Sequence, residues 1–173
     1  MTRVLVLGRR QKGRRIGLAV REVRRRLEAA GWQVDSLVVR RKSALRQQAA
    51  QAVEARADVV VVVGGDGAVL QVINALAETK VALGIIPMGT GNLLAGNLGV
   101  PHPLDQVVDV VLNVHHLRID LGRVAAGGKL HDFVVACGVG FDARDEGDAH
   151  EGEATPGQAR VCRRGHPRGE ARP

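Results

Sequence analysis

Two rhythms of hydrophobic positions alternate along the chain. Short apolar runs at 3–7, 33–39, 58–63 and 81–87 are separated by stretches in which apolar residues recur every three or four positions. The first rhythm is that of strands, the second that of amphipathic helices. Residues 58–63, DVVVVV, are apolar and β-branched almost throughout. A strand buried on both faces, as in a parallel sheet, has this pattern, whereas a half-exposed strand alternates. Ile16, Val20, Val23, Leu27 and Ala30 predict a helix with one buried stripe and an arginine face, closed by Gly31. Ser43 is expected to cap a helix over 44–57, and helical spacing returns at 68–77 and 104–112. Beyond that point the rhythm changes. Residues 117–124 and 130–139 read as paired strands around Gly127-Gly128. Repeated strand–helix units predict an α/β, doubly wound parallel sheet with helices on both faces.

Composition alters the picture only near the end. Residues 145–173 contain no Leu, Ile, Met or aromatic side chain, too little apolar surface to offset the entropy of ordering. The expected organisation is therefore an α/β domain over 1–115, the start of an incomplete β-rich second domain over 116–144, and a disordered tail over 145–173. No apolar run approaches the roughly 18–20 residues of a membrane span, and the N-terminus lacks signal-peptide features, so a cytoplasmic protein is expected. Cys137 and Cys162 offer neither a disulfide framework nor metal-ligand spacing. Cys137, inside an apolar run, is expected in the core. Aromatic residues are only 2% of the chain, which argues against a nucleic-acid module built on base stacking.

Charge is unevenly placed. Residues 1–46 carry fourteen Lys/Arg against three Asp/Glu, a net of +11, while 47–144 carry six against nine, a net of −3. Arg21, Arg24, Arg25 and Arg26 form one cluster within the basic third. Such a block is either a solvated helix face or a surface for an anionic partner: a nucleotide, a phospholipid headgroup or a membrane surface.

Chemistry is concentrated in two glycine-rich loops, each following a buried strand. In the first, Gly64-Gly65-Asp66-Gly67, the glycines leave backbone N–H groups open to a bound anion, and the helix that follows points its N-terminus at the same space. Asp66 is out of place in a pure anion site. A carboxylate there suits a Mg²⁺ carried by phosphates, or a hydroxyl that attacks them. In the second loop, Pro87 ends the strand, Gly89 and Gly91 free the backbone, and Thr90 and Asn92 supply polar side chains. At the ends of parallel strands the two loops would meet where α/β folds place ligands. Common nucleotide fingerprints do not fit. Gly8–Gly13 has the glycine spacing of a Walker A loop, but Arg14-Arg15 stand where Lys and Ser/Thr are needed.

VVVGGDGAVLQVINAL, GIIPMGTGNLLAGNLGVP, LRIDLGRV and FVVACGVGFDA, in that order, closely resemble the catalytic domain of diacylglycerol kinases, shared by bacterial lipid kinases and sphingosine kinases. The resemblance covers roughly residues 3–144. NAD kinases and phosphofructokinases carry a related GGDG loop, but PMGTGN and IDLG favour the lipid kinase branch. The resemblance implies transfer of the ATP γ-phosphate to a lipid hydroxyl such as that of diacylglycerol. It assigns Gly64, Gly65, Asp66 and Gly67 to the nucleotide loop, with Asp66 essential for transfer. Gly89, Thr90, Gly91 and Asn92 fall in the second ATP-contacting loop, and Asp120 in the Mg²⁺ network. Peripheral attachment to the inner membrane face would follow from the lipid substrate. Three departures stand out: Ala68 replaces the usual Thr or Ser after GGDG, GRRQKGRR replaces an Asn-Pro…Gly signature, and the second domain breaks off after GFDA. The break is expected to reflect truncation by a frameshift near Arg144, the alternative being a natural disordered tail on a stand-alone domain, and a truncated lipid kinase would turn over little. The rival readings are a non-catalytic nucleotide-binding or membrane-surface module, and an NAD kinase. The sequence leaves the oligomeric state open.

Overall fold

A computed structural model of the chain describes residues 1–11, 15–113 and 116–137, and the backbone of 160–163. Lys12, Arg14, His115 and Asp142 lie outside the described residues. The chain divides into two units, residues 1–117 and 118–173.

The first unit is built from β1 (Arg3–Arg9), α1 (Ile16–Ala29), β2 (Gln33–Val39), α2 (Lys42–Glu54), β3 (Val59–Gly64), α3 (Asp66–Leu76), β4 (Ala82–Pro87), α4 (Leu93–Asn97) and α5 (Leu104–Leu112). Its four strands are all parallel, in the order β2-β1-β3-β4. Helices α1 and α5 cover one face of the sheet, α2 and α3 the other. The doubly wound α/β expectation is met. The valine run explains the arrangement: Val59, Val61 and Val63 face α1 and α5, while Val60 and Val62, both fully buried, face the opposite way. Such a strand is stable only with a helical layer on each side. No polar or charged residue is buried among the described residues, so the layers are held by apolar packing alone. Each fully buried valine or leucine contributes roughly 1.5–3 kcal/mol.

Local signals place the elements. At the end of α1, the Gly31 N–H donates to the Glu28 carbonyl at 2.9 Å and the Trp32 N–H to that of Leu27 at 3.1 Å. Gly31 supplies the left-handed turn this motif needs, at φ 82°. The same motif closes α2, but there Arg56 occupies the left-handed position, at φ 55°. Arg56→Gly is therefore expected to stabilise the protein by about 0.5–1 kcal/mol, because glycine adopts that conformation without a Cβ penalty. A melting curve checks it, and a lowered midpoint would contradict it. At the other end of α2, Ser43 does not cap the helix. Arg41 holds the capping position in an extended conformation and makes no side-chain cap. Only two residues separate β2 from α2, so the helix starts before Ser43.

The second unit contains β5 (Gly122–Ala126), β6 (Lys129–Phe133) and β7 (Arg160–Arg163) in an antiparallel sheet of order β6-β5-β7. Gly127 and Gly128 both take positive φ, 55° and 72°, as a two-residue hairpin turn of this hand requires. Arg123 and Asp132 face each other across the hairpin and pair through two hydrogen bonds. Strand β7 falls in the segment for which disorder is expected, and its backbone pairs antiparallel with β5; residues 145–159 and 164–173 lie outside the described residues. Cys137 is exposed rather than in the core, because β6 ends at Phe133 and residues 134–137 carry no regular structure.

Candidate functional site

All four strands of the first unit point their carboxyl ends at one edge. The strand order reverses between β1 and β3, where open parallel sheets leave a crevice for ligands. A cleft of about 210 Å³ opens there. Its floor is Gly64 to Ala68, at the β3–α3 turn. One wall is Gly89 and Thr90, after β4, and the other is Arg9, the last residue of β1, and Gln11 beyond it, with Lys42 from the start of α2.

The two glycine loops touch backbone to backbone. A Cβ on Gly65 would lie 2.7 Å from the Gly89 Cα, and one on Gly89 would lie 2.4 Å from the Gly65 Cα. Both separations are shorter than real Cβ contacts, so neither position admits a side chain. Gly64 meets a similar limit: its Cβ would lie 2.8 Å from the Cβ of buried Ala68, so this glycine lets α3 start close against β3. The register is pinned beneath the loops. Gly64 pairs with Pro87, and the Met88 N–H donates to the Gly64 carbonyl at 2.9 Å.

Asn92 holds the second loop in shape. Its Oδ1 accepts the Gly89 N–H at 2.7 Å and its Nδ2 donates to the Gly89 carbonyl at 3.0 Å. To do so it takes a left-handed conformation at φ 52°, which asparagine tolerates better than most residues. The side chain anchors the loop and does not line the cleft.

Asp66 joins the two loops. It sits half-buried in the first turn of α3, where the positive end of the helix dipole favours a carboxylate. Its Oδ1 accepts the Leu94 N–H from α4 at 3.3 Å. Its Oδ2 lies 3.1 Å from the point where a Gly91 Cβ would stand, so Gly91 keeps that oxygen accessible. The N–H groups of Asp66 and Gly67 have no acceptor within the helix and remain available to an anion. The site thus presents an acceptor oxygen and backbone donors side by side. Phosphates carrying a divalent cation match this pairing.

Of the sequence-expected residues, Gly64, Gly65, Asp66, Gly67, Gly89 and Thr90 line the cleft, while Gly91 and Asn92 shape its edge. Asp120 belongs to the second unit and is exposed. Among the described residues, no three His, Cys, Asp or Glu side chains gather closely enough to form a metal cage. A Mg²⁺ ion does not require one, since it commonly binds through one or two carboxylates plus substrate phosphates. Asp66 meets that requirement.

The basic block divides into two populations. On α1, Arg24 pairs with Glu28, and Arg25 and Arg26 both pair with Glu22. Hydrogen bonds from Arg25 and Arg26 hold the Glu22 carboxyl down to about 2. The arginine cluster that dominates the sequence is thus largely matched on its own helix. Arg9, Arg10, Arg15, Arg40, Arg41 and Lys42 instead surround the carboxyl edge of the sheet, and none makes an ion pair with a described carboxylate. Sequence reasoning missed Arg9, Gln11 and Lys42 as cleft residues. Their only signal is position: Arg9 ends β1, Gln11 lies two residues beyond it, and Lys42 opens α2 three residues beyond β2.

Residues 3–124 match the diacylglycerol kinase catalytic domain family. A diacylglycerol kinase of Staphylococcus saprophyticus is 35% identical over 115 residues, which are 61% of this chain and 38% of that protein. One of Staphylococcus haemolyticus is 33% identical over 115 residues, 61% of this chain and 35% of that protein. The match spans little more than a third of the length of these curated relatives. In fold, a diacylglycerol kinase of Bacillus anthracis superposes with a TM-score of 0.61 at 18% identity, over 76% of this chain and 59% of that one. A second diacylglycerol kinase structure from that organism gives 0.63 at 23% identity, over 74% and 46%. No helix among the described residues is long and apolar enough to cross a membrane.

Proposed function

Since the chain belongs to the diacylglycerol kinase catalytic domain family, we propose that its cleft binds ATP and presents the γ-phosphate to the hydroxyl of a lipid of the diacylglycerol class. The carrying observation is the placement of Asp66, half-buried between two glycine loops, with one oxygen fixed by Leu94 and the other kept clear by Gly91. Residues 1–115 form the nucleotide-binding part in this reading. The acceptor hydroxyl bonds to the γ-phosphorus as the bond to the ADP oxygen breaks, and the hydroxyl proton is released. Phosphoryl transfer asks a protein mainly for positioning and charge stabilisation. The backbone donors of the first loop hold the phosphates, Gly89 and Thr90 bound the opposite side, and Asp66 faces the transferring group. A Mg²⁺ held by Asp66 and the phosphates would neutralise charge there. Ala68 leaves the phosphates one hydroxyl donor fewer, a loss of roughly 1–3 kcal/mol for a charged partner. The lipid substrate makes a membrane surface the partner of this reaction.

Labelled-phosphate transfer from ATP to diacylglycerol in mixed micelles tests this, with sphingosine and NAD as alternative acceptors. Slow, Asp66-dependent label on diacylglycerol is expected. Label on NAD alone would replace the lipid acceptor with a dinucleotide. ATP binding without transfer to any acceptor would leave a nucleotide-binding module.

A further inference from the structure

We propose that Lys42, with Arg9 beside it, is the positioning cation for the phosphate chain of the bound nucleotide, acting from the β1–β2 side of the cleft. This inference rests on the nucleotide reading above and adds residues that lie in neither glycine loop. The Lys42 Nζ lies 3.5 Å from the point where a Gly67 Cβ would stand. It is therefore held over the first turn of α3, close to the free N–H groups and on the wall facing Gly89 and Thr90. It makes no ion pair with any described carboxylate, Asp66 included.

The electrostatics of the chain alone do not account for this placement. Lys42 is the first residue of α2, Arg41 is its cap and Arg40 precedes it. Neither α1 nor α2 has an acidic residue in its first turn or a side-chain cap. Cations at a helix N-terminus oppose the helix dipole, so this edge gathers several cations with no described carboxylate ion-paired to them. A multiply charged anion in the cleft would neutralise them. The cleft's size indicates which part of a nucleotide enters. About 210 Å³ is below the roughly 300–1,000 Å³ of sites that enclose a whole drug-sized ligand, and the polar walls suit the phosphate end.

Calorimetric titration of the full chain with ATP, AMP and inorganic tripolyphosphate, each with Mg²⁺, tests the assignment. Lys42→Ala is expected to weaken ATP and tripolyphosphate by roughly tenfold or more, the scale of one charge-assisted contact, and AMP by less than about twofold. Lys42→Arg should recover most of the loss. Arg24→Ala, which removes a cation already paired on α1, should change neither. Circular dichroism melting of each variant separates binding loss from unfolding. ATP bound equally well by Lys42→Ala, or ATP and AMP weakened alike, overturns the role of Lys42 while leaving the nucleotide reading intact. Lys42-dependent binding of tripolyphosphate with none of ATP keeps the phosphate site and overturns the nucleotide reading.

Discussion

Gly89→Ala is expected to destabilise the first unit by about 2–4 kcal/mol, lowering its melting temperature by roughly 10 °C, and to remove nucleotide binding. The added methyl would lie 2.4 Å from the Gly65 Cα and 2.7 Å from the Asn92 Oδ1. Neither contact can yield through a side-chain rotation. The first is backbone, and the second is the oxygen that accepts the Gly89 N–H. Sliding one loop past the other would break the β3–β4 register at Gly64 and Pro87. Gly96→Ala supplies the internal comparison. Gly96 lies within α4 with nothing within 4 Å of its added methyl, so that change should be neutral or stabilising by about 0.5–1 kcal/mol. Thermal melts of the two variants read the difference directly. Equal midpoints would show that the glycine loops do not pack as described.

Asp66→Asn is expected to lower phosphoryl transfer by on the order of a thousandfold or more, the lower end of what one charged group aimed at the transferring phosphoryl supplies. The substitution separates charge from structure. An asparagine Oδ1 still accepts the Leu94 N–H that Asp66 accepts at 3.3 Å, and its size is the same, so the melting temperature should move little. What is lost is the negative charge beside the phosphates. Initial rates of labelled-phosphate transfer, measured beside melting curves, check both halves. A variant that melts normally and still transfers phosphate at the unchanged rate would remove Asp66 from the chemistry.

Several of these features are legible in the sequence because the physics behind them is local. The valine run needs a helical layer on each face wherever it occurs, and the glycine of the Gly31 turn needs only its own backbone. The two loops could likewise be read as a site, since each is a strand end followed by glycines. Other features depend on partners far along the chain. Helix α4 is five residues long, too short to show a period among Gly91, Gly96 and Gly99, and it is held by the distant Asp66, which accepts the Leu94 N–H, and by buried Leu94 and Ala95. Ser43 has the chemistry of a cap, but the two-residue β2–α2 connection, which starts the helix at Lys42, is set by the fold. Lys42 was indistinguishable from thirteen other cations in the first 46 residues until the fold brought it over Gly67. The arginine cluster is dense, yet Arg24, Arg25 and Arg26 are matched by Glu22 and Glu28 at helical spacing, while Arg9, Arg10, Arg40, Arg41 and Lys42 lie at or next to the ends of β1 and β2.

Calorimetric titration of the full chain with ATP, with Mg²⁺ and again with Mg²⁺ chelated, decides whether this cleft binds ATP with its phosphates between the two glycine loops. Saturable one-to-one binding that weakens strongly on chelation, and likewise in Asp66→Asn, is the predicted result. A chain that melts cooperatively yet binds no ATP at any accessible concentration, with or without Mg²⁺, would contradict it.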